Sequence, residues 1–181
     1  MSSDNIFSNK NIEFNMIVAH ERNYGIGNNG RIPWYITEDL KYFRDMTINH
    51  IVVMGRKTYD SIPSSRKPLK DRINIVLTNN PENYNSVDNL IYCKEDKLDF
   101  YLNYYHYHNA ISKVFFIGGS EIYKKYMNKI DNLYVTFVDN EYTCDIFFPA
   151  YELQFNLVKI VNSIYSNSEG CYVVFRQYKR K

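Results

Sequence analysis

Hydrophobic residues along the chain fall into two kinds of pattern. Short runs rich in β-branched and aromatic residues, which are typical of buried strands, occupy residues 14–20, 51–54, 73–78, 90–93, 114–117 and 133–138. Helical periodicity occupies residues 37–47, 58–62, 97–111 and 120–127. Strands that alternate with helices in this way predict a mostly parallel α/β sheet.

The C-terminal part has a different pattern. Residues 155–164 and 170–178 alternate between apolar and polar positions around a short turn, which is typical of an antiparallel hairpin at a sheet edge. A length of 181 residues suits one domain. We therefore predict a single α/β domain over residues 12–181, with a central sheet of about eight strands and flanking helices. Residues 1–11 are predicted to be a flexible N-terminal extension.

Composition and charge exclude several classes of protein. Hydrophobic residues make up 45% of the chain and charged residues 23%, which is the balance of a globular protein. A net charge of +2 argues against a nucleic-acid surface, and no apolar run approaches the roughly 18 residues of a membrane span. The three cysteines have no close spacing, and the N-terminus lacks the apolar stretch of a signal peptide. We expect reduced thiols, no bound metal and a cytoplasmic location.

The tyrosine- and histidine-rich segment 101–108 allows two interpretations. Its aromatic rings resemble a stacking platform for nucleic acid, but no Arg or Lys is interleaved with them. His106 and His108 are not at the spacing of metal ligands on a helix. An amphipathic helix with tyrosines at its edges is the better interpretation.

Residues 25–30 fit the pattern G-x-G-x-x-G after a strand, yet they do not predict a dinucleotide fingerprint. That fingerprint opens a helix, whereas Pro33 here disfavours helical backbone at Ile32. Glycine and asparagine allow easy rearrangement of the backbone. We interpret residues 23–34 as a mobile lid over a site.

Asp39 lies in the apolar stripe of the helix predicted over residues 37–47, on the side of Leu40 and Phe43, whereas Glu38 lies on the opposite side. One interpretation is that an acid in the first turn only stabilises the helix dipole. The other is a carboxylate in a pocket, able to bind an amidine-like ring edge through two parallel hydrogen bonds.

Two corners join a strand, a glycine and a helix. Arg56 and Lys57 follow Gly55, where cations are unfavourable for the helix itself unless an anion binds; solvated surface charge is the alternative. Gly118 and Gly119 form the second corner and allow close approach of a ligand to the backbone. Two such corners on a parallel sheet indicate a dinucleotide across the ends of the strands.

This ordered set of motifs resembles the dihydrofolate reductase family from about residue 14 to residue 178. The segments that carry the resemblance are residues 16–19, 25–34, 39–43, 53–58, 61–63, 68–69, 72–77, 116–123, 134–136 and 145–149. The resemblance implies the family's fold and the NADPH-dependent reduction of 7,8-dihydrofolate to 5,6,7,8-tetrahydrofolate, in one-carbon and thymidylate metabolism. It also implies binding of antifolate inhibitors, and we expect a monomer.

The resemblance implies a role for each matching residue. Asp39 matches the acid that binds the pterin, Thr136 the threonine that supports it, and Trp34 the lid segment, and these three are the predicted catalytic residues. Arg72 matches the arginine that binds the substrate's α-carboxylate, although the neighbouring Asp71 departs from the family pattern. The other predicted substrate-binding residues are Ile17, Val18, Ala19, Leu40, Phe43, Ile62, Leu69, Ile117 and Tyr123.

The cofactor site is implied in the same way. Arg56, Lys57 and Thr58 match contacts to the phosphates of NADPH, and Gly118 and Gly119 match a pair joined by a cis peptide bond. The remaining predicted cofactor residues are Ala19, Ile26, Gly30, Ile32, Gly55, Thr78, Asn79, Asn80, Ile117, Ser120, Glu121, Ile122 and Tyr123. Two alternatives are an NADPH reductase for a riboflavin precursor and a non-catalytic binding module. The combination of Asp39 with Arg72 argues against the first, and the complete set of site residues argues against the second.

Overall fold

An eight-stranded sheet forms the centre of the molecule in a computed structural model that describes residues 6–181. Within that range the strands are β1 (Glu13–Glu21), β2 (Gly25–Gly27), β3 (Ile51–Gly55), β4 (Ile73–Leu77), β5 (Leu90–Cys93), β6 (Lys113–Phe116), β7 (Asn132–Val138), β8 (Ile146–Phe147), β9 (Phe155–Ser166) and β10 (Cys171–Arg180). The α-helices there are α1 (Thr37–Thr47), α2 (Arg56–Ser61), α3 (Leu98–Asn109) and α4 (Ser120–Tyr126).

The strand order of the main sheet is β5-β4-β3-β6-β1-β7-β10-β9. The pairs from β5 to β7 are parallel, whereas β10 is antiparallel to both β7 and β9. Parallel neighbours need crossover connections, which α1 to α4 and the intervening loops supply. The predicted fold class is confirmed, including the antiparallel hairpin at one edge.

The sheet has a hydrophobic core on each face because successive side chains of a strand point in opposite directions. Met16 and Val18 of β1 belong to the core cluster that includes residues of α3 and α4. Ile17, between them, belongs to the opposite cluster, against which Phe43 of α1 packs. The alternation within β1 therefore separates the two layers and brings Ile17 to the side of α1.

The N-terminal segment, predicted to be a flexible extension, contacts the hydrophobic core in its described part. Residues Ile6–Ser8 form a 3-10 helix, and Ile6 is only 2% exposed within the core. The ring of Phe7 lies 4.7 Å from the ring of Phe14, centroid to centroid. Two apolar residues in an otherwise polar stretch anchor this segment, so the packed domain includes Ile6. Residues 1–5 of the predicted extension lie outside the described residues.

Helix α3 contains the whole tyrosine- and histidine-rich segment, residues 101–108. Leu98, Leu102 and Tyr105 are buried along one side, whereas Phe100 and Tyr107 are exposed. This arrangement confirms the amphipathic helix. Among residues 6–181 no helix is long and apolar enough to cross a membrane, and no cluster of three or more His, Cys, Asp or Glu could hold a metal ion.

Candidate active site

A cleft of about 1530 Å³ runs along the carboxyl ends of the parallel strands. Val18 and Ala19 of β1, Gly55 at the end of β3 and Leu77 at the end of β4 line it. Ligands of open α/β sheets bind at this edge of the sheet. The predicted cofactor residues that line the cleft are Ala19, Ile26, Gly30, Ile32, Gly55, Arg56, Lys57, Thr58, Thr78, Asn79, Asn80, Ile117, Gly119, Ser120, Glu121, Ile122 and Tyr123.

Of the predicted glycine pair, Gly119 lines the cleft, whereas Gly118 does not. A cis peptide bond joins them, as the resemblance implies. Gly118 has a φ of 109°, and a Cβ there would lie 3.0 Å from the ring of Tyr123, so only glycine fits without rearrangement. The carbonyl of Gly118 accepts a hydrogen bond of 2.8 Å from the N–H of Gly55. The two predicted corners are therefore directly connected.

The cations at the start of α2 line the cleft, as predicted. Arg56 also forms an ion pair with Asp60, four residues later on the same helix. Both side chains are substantially exposed, 39% for Arg56 and 48% for Asp60, so the pair is weak and the guanidinium can be drawn away. Lys57 and Thr58 line the cleft beside Arg56.

Asp39 lies beside a second, smaller cavity of about 20 Å³, whose other lining residues are Ile32, Trp34, Tyr35, Ile36 and Leu40. Burial raises the pKa of the Asp39 carboxyl to about 6, and a hydrogen bond with the hydroxyl of Thr136 acts in the opposite direction. Glu38, its neighbour on α1, is exposed. The structure thus confirms that Asp39 lies on the buried side of the helix and brings it together with Thr136 and Trp34.

The small cavity and the large cleft are adjacent. Ile32 lines both of them. Tyr123 lines the cleft, and the nearby charge of Asp39 adds to the effect of burial in raising the pKa of its hydroxyl. The hydroxyl of Tyr123 donates a 2.9 Å hydrogen bond to the carbonyl of Ile17. A carboxylate and the cofactor cleft are therefore adjacent.

The predicted apolar walls are only partly at the cavities. Val18, Ala19, Ile117 and Tyr123 line the cleft, and Leu40 lines the small cavity. The others pack together in the core on the α1 side of the sheet, with Ile17 and Leu69 buried and Phe43 and Ile62 partly buried.

Arg72 lies near Phe43, with its guanidinium carbon 5.9 Å from the ring centroid. It donates hydrogen bonds of 3.0 Å to Thr47 Oγ1 and to the carbonyl of Lys70. Burial and the charge of Arg44 lower the pKa of Arg72, whereas Asp71 raises it. No ion pair joins Asp71 to Arg72 among the described residues, so hydrogen bonds rather than a carboxylate hold the guanidinium.

The predicted lid, residues 23–34, contains a short strand that the sequence pattern did not reveal. β2 pairs with β8 in a separate two-stranded sheet, and no helix begins at Gly30, as expected. Asp145 Oδ2 accepts a 2.9 Å hydrogen bond from the N–H of Asn29, and the N–H of Asp145 donates to the carbonyl of Gly27. Glu21 Oε1 accepts from the N–H of Gly25 at 2.7 Å.

The cleft also includes residues that sequence reasoning missed. These are Gly27, Arg31, Ser61, Leu77, Glu95, Lys124, Lys125, Asp145, Ile146, Phe147, Phe148 and Pro149. The last five form the run Asp-Ile-Phe-Phe-Pro that contributed to the resemblance without a role assigned to it. Its pairing with the lid through β8 explains why it is at the cleft.

Comparisons with known proteins agree on one family. A family model described as dihydrofolate reductase matches residues 13–180. The dihydrofolate reductase of Drosophila melanogaster is 36% identical over 148 residues, covering 77% of this chain and 80% of the relative. That of Aedes albopictus is 35% identical over 161 residues, covering 81% and 84%. A dihydrofolate reductase structure from Enterococcus faecalis, complexed with NADP(H) and RAB-propyl, has a TM-score of 0.80 and 26% identity, covering 93% of this chain and 96% of that one.

Proposed function

The chain belongs to the dihydrofolate reductase family, and from that premise we propose that it reduces 7,8-dihydrofolate with NADPH, adding a hydride at C6 and a proton at N5. The observation that carries this proposal is the position of Asp39. Its side chain is partly buried beside a small cavity that shares Ile32 with the large cleft. A pterin bound to Asp39 would thus lie against the nicotinamide ring of an NADPH molecule bound in the cleft.

The cleft has the features that NADPH requires. Arg56 and Lys57 supply two cations for phosphate groups, and the absence of a side chain at Gly119 lets a ligand approach the backbone. The 2′-phosphate of the adenosine binds more strongly to such a pair of cations than to a neutral lining. When bound, NADPH supplies the hydride, while the protein supplies orientation and a water-excluded environment.

Asp39 acts by polarising the pterin rather than as a direct proton donor. A pKa of about 6 leaves its carboxyl mainly ionised at pH 7. The ionised form accepts hydrogen bonds from the 2-amino group and the adjacent ring nitrogen, which raises the basicity of N5. Thr136 holds the carboxyl through its hydroxyl hydrogen bond.

Because Asp39 is mainly ionised, the immediate proton donor to N5 is a water molecule, and the small cavity beside Asp39 can hold one. Its volume of about 20 Å³ is enough for one water molecule. The indole Nε1 of Trp34 is buried and lacks a hydrogen-bond partner among the described residues, although a buried donor normally has one. A water between Trp34 and Asp39 would accept from that N–H and donate to the carboxylate.

The test is turnover of purified protein with NADPH and dihydrofolate, followed by the loss of nicotinamide absorbance. A diaminopyrimidine antifolate should inhibit the reaction, because its ring edge offers the same two donors to Asp39. NADH in place of NADPH should react more slowly. Absence of turnover with dihydrofolate, together with turnover of a riboflavin precursor, would assign the site to the alternative reductase.

We also propose that the protein acts as a cytoplasmic monomer. Sedimentation tests the oligomeric state, and cell fractionation tests the location.

A further inference from the structure

The turn between β9 and β10, residues 167–170, lies against the segment that carries Trp34. Glu169 makes the principal connection, because its Oε1 accepts a 2.9 Å hydrogen bond from the N–H of Tyr35. Its Oε2 accepts a 2.7 Å hydrogen bond from the hydroxyl of Tyr142. One carboxylate therefore joins three segments that are far apart in the sequence.

Tyr142 in turn contacts Trp34. The two ring centroids are 5.2 Å apart with an interplanar angle of 52°, a tilted packing that favours one ring orientation. Burial and the hydrogen bond to Glu169 both raise the pKa of the Tyr142 hydroxyl. Further hydrogen bonds, from Asn140 Nδ2 to the carbonyl of Glu169 and from Ser168 Oγ to the carbonyl of Tyr35, hold the turn at this place.

The position of Trp34 matters because its indole forms part of the wall of the cavity beside Asp39. Trp34 is 7% exposed, and its Nε1 is the unpartnered donor described above. A displacement of the ring by a fraction of its width would open or fill a cavity that holds only one water. Displacements of about 1 Å can cost on the order of 10²-fold in rate.

We propose that Glu169 is a positioning residue for the reaction. Two separate contacts of its carboxylate fix Trp34 beside the Asp39 cavity. Glu169 holds the backbone next to Trp34 through Tyr35 and holds the aromatic neighbour of the indole through Tyr142. This inference rests on the proposed function for its kinetic effect. Its structural effect, the immobilisation of Trp34, does not depend on any reaction.

A purely structural role of Glu169, as an anchor of the hairpin, predicts a loss of stability alone. The two roles are separable because Trp34 is the only tryptophan in the chain. Its fluorescence, and the quenching of that fluorescence by acrylamide, report the accessibility of this one ring. Turnover and NADPH binding are then measured on the same preparations.

The experiment compares four variants with the parent protein. Glu169→Ala removes both acceptors, Tyr142→Phe removes only a hydroxyl, and Glu169→Gln keeps an acceptor for the N–H of Tyr35. Asn167→Ala, at an exposed position of the same turn, is the matched control. Thermal unfolding of each variant identifies any that fail to fold, and Tyr142→Phe keeps the test valid because it deletes a single oxygen atom.

We expect acrylamide to quench Trp34 about two- to fivefold more efficiently in Glu169→Ala. The kcat for dihydrofolate should fall about three- to thirtyfold, while the KM for NADPH changes less than about twofold. Tyr142→Phe should give quenching and kcat values between those of Glu169→Ala and the parent protein. Glu169→Gln should keep both values close to those of the parent. Asn167→Ala should match the parent.

Unchanged quenching and unchanged kcat in Glu169→Ala, with or without a lower unfolding temperature, would overturn the proposal. An equal loss in Glu169→Gln would also overturn it, since the retained acceptor would then have no effect. If the parent protein fails to reduce dihydrofolate, the proposed function fails. In that case the quenching measurements alone decide whether Glu169 immobilises Trp34.

Discussion

At the scale of single residues, Asp39 combines a partly buried position with a charge that the proposed reaction needs. Asp39→Asn keeps the shape of the side chain but removes the charge that polarises the pterin. We expect kcat at neutral pH to fall by about 10²–10⁴, the range of proton-transfer assistance, with partial recovery at more acidic pH or with a preprotonated substrate. Steady-state kinetics across pH measures both effects. Unchanged turnover would remove Asp39 from the mechanism.

The same substitution should stabilise the protein without its ligands. Burial raises the pKa of Asp39 from 3.8 to about 6, so the folded state holds a proton that the unfolded chain releases. The associated stability is present below about pH 4 and is lost as the pH rises through 6. Asp39→Asn should therefore gain up to about 3 kcal/mol in free energy of unfolding at pH 7, and this gain should shrink toward pH 4.

Urea denaturation at several pH values measures this difference. Glu38→Gln is the control, because Glu38 occupies the same helical turn but is exposed. Its effect should stay within about 1 kcal/mol at every pH. A gain for Asp39→Asn that does not vary between pH 7 and pH 4 would contradict the assignment of the raised pKa to this carboxyl.

Arg72 is the second residue whose role rests on the resemblance. The structure holds its guanidinium beside Phe43 by hydrogen bonds that leave donors unused, since a guanidinium has five N–H groups and two contacts are formed by Nε and Nη1. Arg72→Leu should weaken dihydrofolate binding by roughly 2–5 kcal/mol and leave NADPH binding unchanged. Equilibrium titration of each ligand checks this, and equal dihydrofolate affinity would place Arg72 outside the site.

At the scale of elements, helix α2 presents its cations to the cleft while an acid on the same helix competes for one of them. Asp60→Asn removes the partner of Arg56 without touching the cleft lining. Because exposed ion pairs are worth less than about 1 kcal/mol, the freed guanidinium should tighten NADPH binding by about two- to fivefold. NADH, which lacks the 2′-phosphate, should gain little.

Asp45→Asn provides the matched control for this prediction. It makes the same charge change at an exposed position on α1. Any gain that comes from the net charge of the protein alone would appear in both variants and would decrease together with added salt. Equal gains in NADPH and NADH affinity for Asp60→Asn would contradict a specific effect at the phosphate.

Elements with a strong period were predictable from the sequence. Helix α1 has the predicted bounds, and the strand over Leu90–Cys93 does as well. β2 and β8 were missed because strands of three and two residues are too short to show alternation. Their pairing depends on a tertiary contact between the lid and residues that follow β7. Helix α2 begins at Arg56, two residues before the predicted span of residues 58–62, and therefore at the corner where the sequence already placed two cations at a helix start.

The candidate site was likewise predictable where it depends on local periodicity, and not where it depends on tertiary contacts. Asp39 could be identified from its place in an apolar stripe, since that depends only on helical periodicity. Its hydrogen bond with Thr136 brings α1 to β7, and the contact of Glu169 with Tyr35 brings the β9–β10 turn to the residue that follows the lid. Contacts between residues almost 100 or more positions apart leave no periodic signal in one sequence. The resemblance supplied the first of them, and nothing in the sequence supplied the second.

At the scale of the whole molecule, the extent of the core decides where the domain begins. Ile6 contributes a side chain that is 2% exposed to a cluster that also contains residues of β1, β6 and α4. Truncation of a buried isoleucine removes its burial and leaves a cavity that the surroundings fill only in part. Ile6→Ala should therefore lower the free energy of unfolding by about 2–5 kcal/mol.

The control for this last prediction is Leu153→Ala, because Leu153 is 91% exposed and its truncation should change stability by less than about 0.5 kcal/mol. Urea denaturation compares the two variants with the parent protein. Because Ile6 packs on the opposite layer from Asp39 and α1, kcat for dihydrofolate should remain unchanged at temperatures where Ile6→Ala is folded. If Ile6→Ala is as stable as Leu153→Ala, the N-terminal segment contacts the domain without contributing to its stability. The predicted start of the domain at residue 12 would then be correct.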